Sequence, residues 1–336
     1  MSNASASHTV GDRSAFAISW GIAGSHGRLH FIWDVNNCEV MLQQSPYGLG
    51  FSVFEIYLAL LTVVTLYIVS REDRGDAPAV TNIIAKEGIT VTCGVPSEIM
   101  SLFQYGDCDL LRKSVRMMMV SGREPFGILL VQELRALGRD DLKAMNIYGP
   151  TEATISASYL DVRYNDDPGL LEQPAPAGYS MPSYSIYILD ENMKPVLAGI
   201  QGHIAIAGPI SSGYVNNSEL QKPRFVPNPI APFESKEREW NAMYLSGDCG
   251  YLRSSDGVLI FQGRIAGDTQ VKLRGFRIEL QDIESNIVAA ANGTVARAIC
   301  SHRGNPSEFL VTHVTFFPRH GLSRGEQVDF LLPQRP

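Results

Sequence analysis

The run Asn146-Ile147-Tyr148-Gly149-Pro150-Thr151-Glu152 sets a hydroxyl and a carboxylate side by side directly after a sharp Gly-Pro turn. That pairing suits the phosphates of a nucleotide. Thr151 can hydrogen-bond a phosphate oxygen, and Glu152 offers the oxygen ligand that Mg²⁺, a hard cation, prefers. A purely structural reading stands beside it: a helix N-terminus capped by Thr151, with Glu152 in the first turn. A second run, Tyr244-Leu245-Ser246-Gly247-Asp248, is followed by Gly250-Tyr251. An Asp after a glycine turn at a strand end can accept from both hydroxyls of a ribose; an Asx-type turn between two strands is the alternative. A third run begins at Gly263-Arg264, continues through Gln270-Val271-Lys272-Leu273 and Arg274-Gly275, and closes on Asp282-Ile283-Glu284. Polar and apolar residues alternate over 270–273, which predicts a strand with one wet face, and residues 279–291 read as a helix.

These runs need a frame to hold them. From residue 40 onward, apolar segments alternate with helical patterns, as βαβ units do. Residues 89–93 (ITVTC) and 115–120 (VRMMMV) read as strands, and Pro96 with Ser97 opens a helix over 98–103. Residues 129–137 read as helix, and 144–147 form a short strand that feeds Tyr148-Gly149-Pro150. Residues 183–189, 202–206 and 257–261 carry the short apolar runs and glycine boundaries of a β-rich lobe, while 223–232, with four prolines, reads as a loop. The predicted fold class is α/β: a parallel α/β lobe, a β-rich lobe, and the start of a small α+β subdomain. The boundaries read as a disordered N-terminus over 1–13, a large partial subdomain over 14–266 and a truncated C-terminal subdomain over 267–336.

A net charge of −7 and a pI near 5.5 argue against a nucleic-acid partner, whose phosphates an acidic surface repels. Basic residues cluster only at 272–277, which also reads as a solvated turn. Cys38, Cys93, Cys108, Cys249 and Cys300 lie far apart and fit neither a metal spacing nor a disulfide scaffold. Reduced thiols in a cytoplasmic protein are expected, and residues 1–10 lack the basic-then-apolar pattern of a signal peptide. Residues 56–69 (IYLALLTVVTLYIV) are strongly apolar but shorter than the ~20 residues that cross a bilayer. A buried helix running into a buried strand is the expected structure there, with no membrane partner.

Together and in this order, the three runs resemble the signature of acyl- and aminoacyl-adenylate-forming enzymes. The closest likeness is to the adenylation domains of fungal nonribosomal peptide synthetases, including those fused to polyketide synthases. Residues 202–208 (GHIAIAG) with Gly213-Tyr214 are similar to the family's Gly-Glu-Leu-x-Ile-x-Gly segment, with His203 in place of its Glu. Residues 40–69 resemble one wall of the substrate pocket, and the likeness covers residues 14–336. It implies a partial adenylate-forming fold and an ATP-dependent acid–thiol ligase of secondary metabolism. Such enzymes use Mg²⁺ and ATP to turn a carboxylic or amino acid into an acyl-AMP. The C-terminal subdomain then rotates, about a hinge near Gly267-Asp268, and a phosphopantetheine thiol on a separate carrier protein takes the acyl group. The implied roles are adenine for Tyr148, phosphate for Thr151, Mg²⁺ for Glu152, ribose for Asp248, and nucleotide binding for Gly149 and Arg264. Gly50, Phe51, Phe54, Met119, Ser121, Ile147, Ile155 and Ser156 would line the acyl pocket. That lining is mostly apolar and suits an aromatic or aliphatic side chain.

Four positions depart from the family pattern. Ala15-Phe16-Ala17-Ile18-Ser19-Trp20 runs straight into Gly21-Ile22-Ala23-Gly24 with no Ser/Thr/Gly-rich phosphate loop and no lysine between them. The segment carrying the lysine that catalyses adenylation is not found before Pro336, and losing such a charge costs ~10²–10³ in rate. Gly50 stands where the family has the Asp that pairs with a substrate's α-amino group, so an acid without that amine is the expected substrate. Val63-Val64 replaces a Gly-rich turn in the pocket wall. The alternative expectation is therefore an inactive remnant or mis-spliced fragment, retaining at most nucleotide binding or an interaction role.

Overall fold

The VRMMMV segment folds as a strand buried along its entire length, Met117–Ser121. Such a strand belongs to a parallel sheet covered on both faces. The computed structural model describes residues 35–47, 50–122, 125–154, 156–214, 222–237, 240–265, 270–273, 276–303 and 309–317. Residues 1–13, Ile155 and the expected hinge at Gly267-Asp268 lie outside them.

Among the described residues the sheet has seven strands: β1 (Val40–Gln43), β2 (Thr65–Ile68), β3 (Val91–Gly94), β4 (Met117–Ser121), β5 (Lys143–Tyr148), β6 (Ser158–Asp161) and β7 (Tyr179–Ser180). Their order is β2-β1-β3-β4-β5-β6-β7. The first five are parallel, and β6 and β7 add antiparallel pairings. The parallel connections pass through helices α1 (Gly50–Thr62), α2 (Ala77–Glu87), α3 (Pro96–Tyr105), α4 (Cys108–Ser114) and α5 (Ile128–Ala136). Alternation along β4 explains the burial. Met118 and Val120 join Ile84, Ile99, Leu111 and Leu130 on the face of α2–α5, while Met117 and Met119 meet Phe54 and Leu58 of α1 on the other. Helix ends follow local chemistry: Asp76 accepts from the Ala79 N–H at the start of α2, and left-handed Gly88 closes it.

The apolar stretch over 56–69 does fold as helix then strand, but it is not fully buried. Among the described residues strand β2 is the sheet edge, and Leu60, Val63 and Ile68 are 69%, 77% and 55% exposed. Among the described residues no helix is long and apolar enough to cross a membrane.

A second sheet holds β8 (Ser185–Leu189), β9 (Gly202–Ala207), β10 (Phe225–Pro227), β11 (Ala242–Leu252) and β12 (Leu259–Arg264), in the order β10-β11-β9-β8 with β12 on β11. Residues 223–232 are thus not wholly loop, because β10 pairs antiparallel with the first part of β11. Pro227 sits at the end of that outer strand, where a missing donor is tolerated. A short helix, α6 (Phe233–Glu237), precedes β11.

The chain divides into two compact units, Met1–Ala266 and Gly267–Pro336. The second begins with the hairpin β13 (Gln270–Leu273) and β14 (Phe276–Glu279), followed by α7 (Leu280–Ala290). The antiparallel pair β15 (Val295–Arg303) and β16 (Phe309–Phe316) follows. Glu284 of α7 accepts from the Cys300 N–H at 2.7 Å, which ties helix to strand.

Candidate functional site

Strand β5 ends at Tyr148, and the chain then turns through Gly149 and Pro150 into a 3₁₀ turn, Thr151–Ala153. No side chain caps this turn, and Thr151 is exposed, so its hydroxyl is not the helix cap of the structural reading. The turn is held from several sides. The Ala157 N–H returns to the Tyr148 carbonyl at 2.8 Å, and the Ser211 N–H reaches the Glu152 carbonyl at 2.8 Å. Tyr184 donates its hydroxyl to the Ala153 carbonyl at 2.8 Å, and burial pushes that phenol well above its usual range. Thr154 follows with φ of 52°, an unusual conformation for a non-glycine residue, and donates to the Pro209 carbonyl at 3.2 Å.

Asp248 lies elsewhere than its sequence suggests. It is not at a strand end but within the eleven-residue β11, where the pairing with β9 shifts register between Leu245 and Cys249. Gly247 has φ of 74°, and a Cβ there would stand 2.5 Å from Arg224 Nη1 and 2.9 Å from Arg264 Nη1. The positive φ favours glycine, and any larger residue would displace the two guanidinium ends. The irregularity turns Asp248 inward, and only 2% of it is exposed. Asp248 Oδ2 accepts from the Tyr148 hydroxyl at 2.7 Å, and Oδ1 accepts from Arg264 Nη1 at 2.9 Å. Arg264 is the cross-strand partner of Asp248 on β12 and also donates to the Ser246 carbonyl at 2.6 Å. The Ser246 hydroxyl accepts from the Asp248 N–H at 3.0 Å and donates to the Ile204 carbonyl at 2.8 Å. All three sequence runs meet here through Tyr148, Asp248 and Arg264.

Glu152 is fully buried and accepts from the Tyr214 hydroxyl at 2.8 Å. Tyr214 was legible only as part of a motif, and its contact with Glu152 was not. Phe261 is a second residue the sequence reading passed over; its ring lies 5.9 Å from that of Tyr148, tilted by 42°. An apolar run was the only signal it gave.

Of the pocket residues, Phe51, Phe54, Met119 and Ile147 share one apolar cluster between α1 and the sheet. Ser121 is the register partner of Ile147, Gly50 opens α1, and Ser156 is buried. One residue on from Phe54, Glu55 is fully buried and accepts from Ser45 Oγ at 2.8 Å and Gln43 Nε2 at 3.2 Å. Burial pushes its carboxyl up to about 8, the charge of Glu98 adds to the rise, and the two hydrogen bonds partly oppose it.

Residues 13–215 match the model of a family described as AMP-binding enzyme. The chain belongs to that family. Its relatives include the hybrid PKS-NRPS synthetase thnA of Trichoderma harzianum, 40% identical over 83% of this chain, and mpsA of Macrophomina phaseolina, 41% identical over 83%. The chain spans 7% of the length of each. Among solved structures, IdnL1 matches with a TM-score of 0.74 at 24% identity, over 96% of this chain and 63% of that one. Holo-PA1221, an NRPS protein containing adenylation and PCP domains, matches with a TM-score of 0.72 at 23% identity, over 86% and 47%. The fold is that of an adenylation domain.

Proposed function

We propose that this chain is an adenylation unit of secondary-metabolite biosynthesis that binds Mg·ATP beside Tyr148, Glu152, Asp248 and Arg264. In the reaction proposed, a substrate carboxylate oxygen attacks the α-phosphorus, forming acyl-AMP as the bond to pyrophosphate breaks. A phosphopantetheine thiol on a separate carrier protein then attacks the acyl carbonyl, and AMP leaves. The observation that carries this reading is the convergence of three distant motifs on the Tyr148–Asp248–Arg264 hydrogen bonds. Each carboxylate oxygen has two lone pairs, so Asp248 retains acceptor capacity for a ribose. The relatives, named as hybrid PKS-NRPS synthetases, support the same setting, and a cytoplasmic location is part of the proposal.

The donor set fits a magnesium ion. Among the described residues no group of three or more His, Cys, Asp or Glu gathers as a metal cage. Mg²⁺ needs none, since it is held by one or two carboxylates with waters and the nucleotide's phosphates. Glu152 would be that carboxylate, and Thr151 would face a phosphate. In the same segment as Tyr214, the buried Ser211 Oγ has no hydrogen-bond partner among the described residues, an unsatisfied polar atom that a bound ligand or water would complete. When bound, the ion would neutralise phosphate charge.

Gly50 supplies no side chain for an α-ammonium, which supports an aryl, keto or hydroxy acid as substrate. ATP–pyrophosphate exchange across aromatic, keto, hydroxy and amino acids tests the proposal. Exchange with one acid class is the expected result. Nucleotide binding without exchange on any acid would instead mark a non-catalytic domain.

A further inference from the structure

Glu152 is reached by two hydrogen bonds from one short segment. The Ser211 N–H donates to its carbonyl and, three residues on, the Tyr214 hydroxyl donates to its Oε1, both at 2.8 Å. The Tyr214 ring is fixed in turn. It stands edge-on to Phe225, centroids 5.5 Å apart at 77°, and Phe225 packs on Tyr244 at 5.0 Å. Tyr244 is almost fully buried, and its hydroxyl lies 3.5 Å from that of Tyr214. The phenol is therefore delivered from the β-rich sheet at a set position, while the carboxylate it meets hangs from the turn after β5.

We propose that Tyr214 is a positioning residue, its hydroxyl orienting the Glu152 carboxylate toward the cation that accompanies the nucleotide. The inference rests on the reading of Glu152 as a magnesium ligand. A phenol O–H is a neutral donor, so it fixes the orientation of a carboxylate without supplying charge. A dedicated aromatic stack behind the donor leaves it few alternative rotamers, and such rigid support is what a metal-binding carboxylate needs.

The test is a titration of the whole chain with a fluorescent ATP analogue, with EDTA and across a range of Mg²⁺ concentrations, for the wild type, Tyr214→Phe and Glu152→Gln. The phenylalanine keeps the ring stack and removes only the hydroxyl. Its metal-free affinity is expected to match the wild type. Its Mg²⁺ midpoint is expected to rise about tenfold, the value of one hydrogen bond to a charged group, with affinity recovered at high Mg²⁺. A midpoint shifted in Glu152→Gln but unchanged in Tyr214→Phe overturns the role of Tyr214 and leaves Glu152 in place. Equal loss of metal-free binding in Tyr214→Phe marks a structural hydroxyl and also overturns it. A wild type indifferent to Mg²⁺ removes the Glu152 reading itself, and this inference with it.

Discussion

The Tyr148 hydroxyl donates to Asp248 Oδ2 at 2.7 Å, across a separation of 100 residues. One partner closes the last parallel strand of the large sheet, and the other lies at an irregularity of the antiparallel sheet. The bond therefore joins the two layers of the first unit at the point where the three motifs meet. Arg264, bound to the other oxygen of the same carboxylate, makes Asp248 the shared element of the site.

Removing that carboxylate should weaken both fold and binding. Asp248→Ala leaves the largely buried Arg264 guanidinium without this partner and the Tyr148 hydroxyl without its acceptor. Breaking a buried pair by deleting one member costs about 3 kcal/mol. Urea unfolding should show that loss, and nucleotide titration should show a drop in affinity of at least about tenfold. Wild-type values in both measurements would dissociate the carboxylate from the site.

Glu55 should give the protein a pH-dependent stability. Its folded pKa, raised to about 8 by burial, exceeds the ordinary value of 4.5, so the folded state holds a proton that the unfolded state releases. Its contribution is fully present below about pH 4.5 and is lost as pH rises through about 8, by up to about 1.4 kcal/mol per unit within that window. The Glu98 charge adds to that rise, and burial holds the neighbouring Cys93 thiol well above its ordinary range, outside this window. Glu55→Gln cannot ionise and should flatten the stability profile between those limits. Parallel profiles for the two proteins would locate the dependence elsewhere.

Val63 occupies the turn between α1 and β2 with φ of 57° while 77% exposed. The Val64 N–H closes the turn by donating to the Ala59 carbonyl at 3.2 Å. A β-branched residue is strained in this left-handed position, and glycine is not. Val63→Gly should raise stability by about 1 kcal/mol, seen as a higher melting temperature. A lower one would mean that the Val63 side chain contributes more by packing than its backbone loses by strain.

Gly247→Ala should act in the opposite sense. The new methyl group meets the Arg224 and Arg264 guanidinium ends, and alanine at this φ is strained by about 1 kcal/mol. Parallel denaturation and nucleotide titrations should show a small stability loss and a larger loss of binding, because Arg264 must move. Unchanged binding would show that the guanidinium has another acceptable position.

Much of the framework was readable residue by residue. The methionine-rich run announced a strand, Pro96 opened α3 as expected, and the glycine-bounded apolar runs became β9 and β12. These features depend on local periodicity, capping and turn chemistry, which neighbouring residues set. The exposed edge at β2 was not readable, because nothing in an apolar run states whether a second strand covers it. The resemblance of three ordered motifs likewise pointed to the family before any coordinate did.

Within the site, the sequence by itself determined which groups are present: a phenol, a hydroxyl, two carboxylates and a guanidinium. Tertiary structure decided which of them meet. Asp248 faces Tyr148 because β11 takes β10 along one part of its edge and β12 along another, with the register shift between. Glu152 faces Tyr214 because two separate lobes bring a turn and an aromatic stack together. Periodicity describes one element at a time, whereas hydrogen bonds across tens of residues depend on how elements pack.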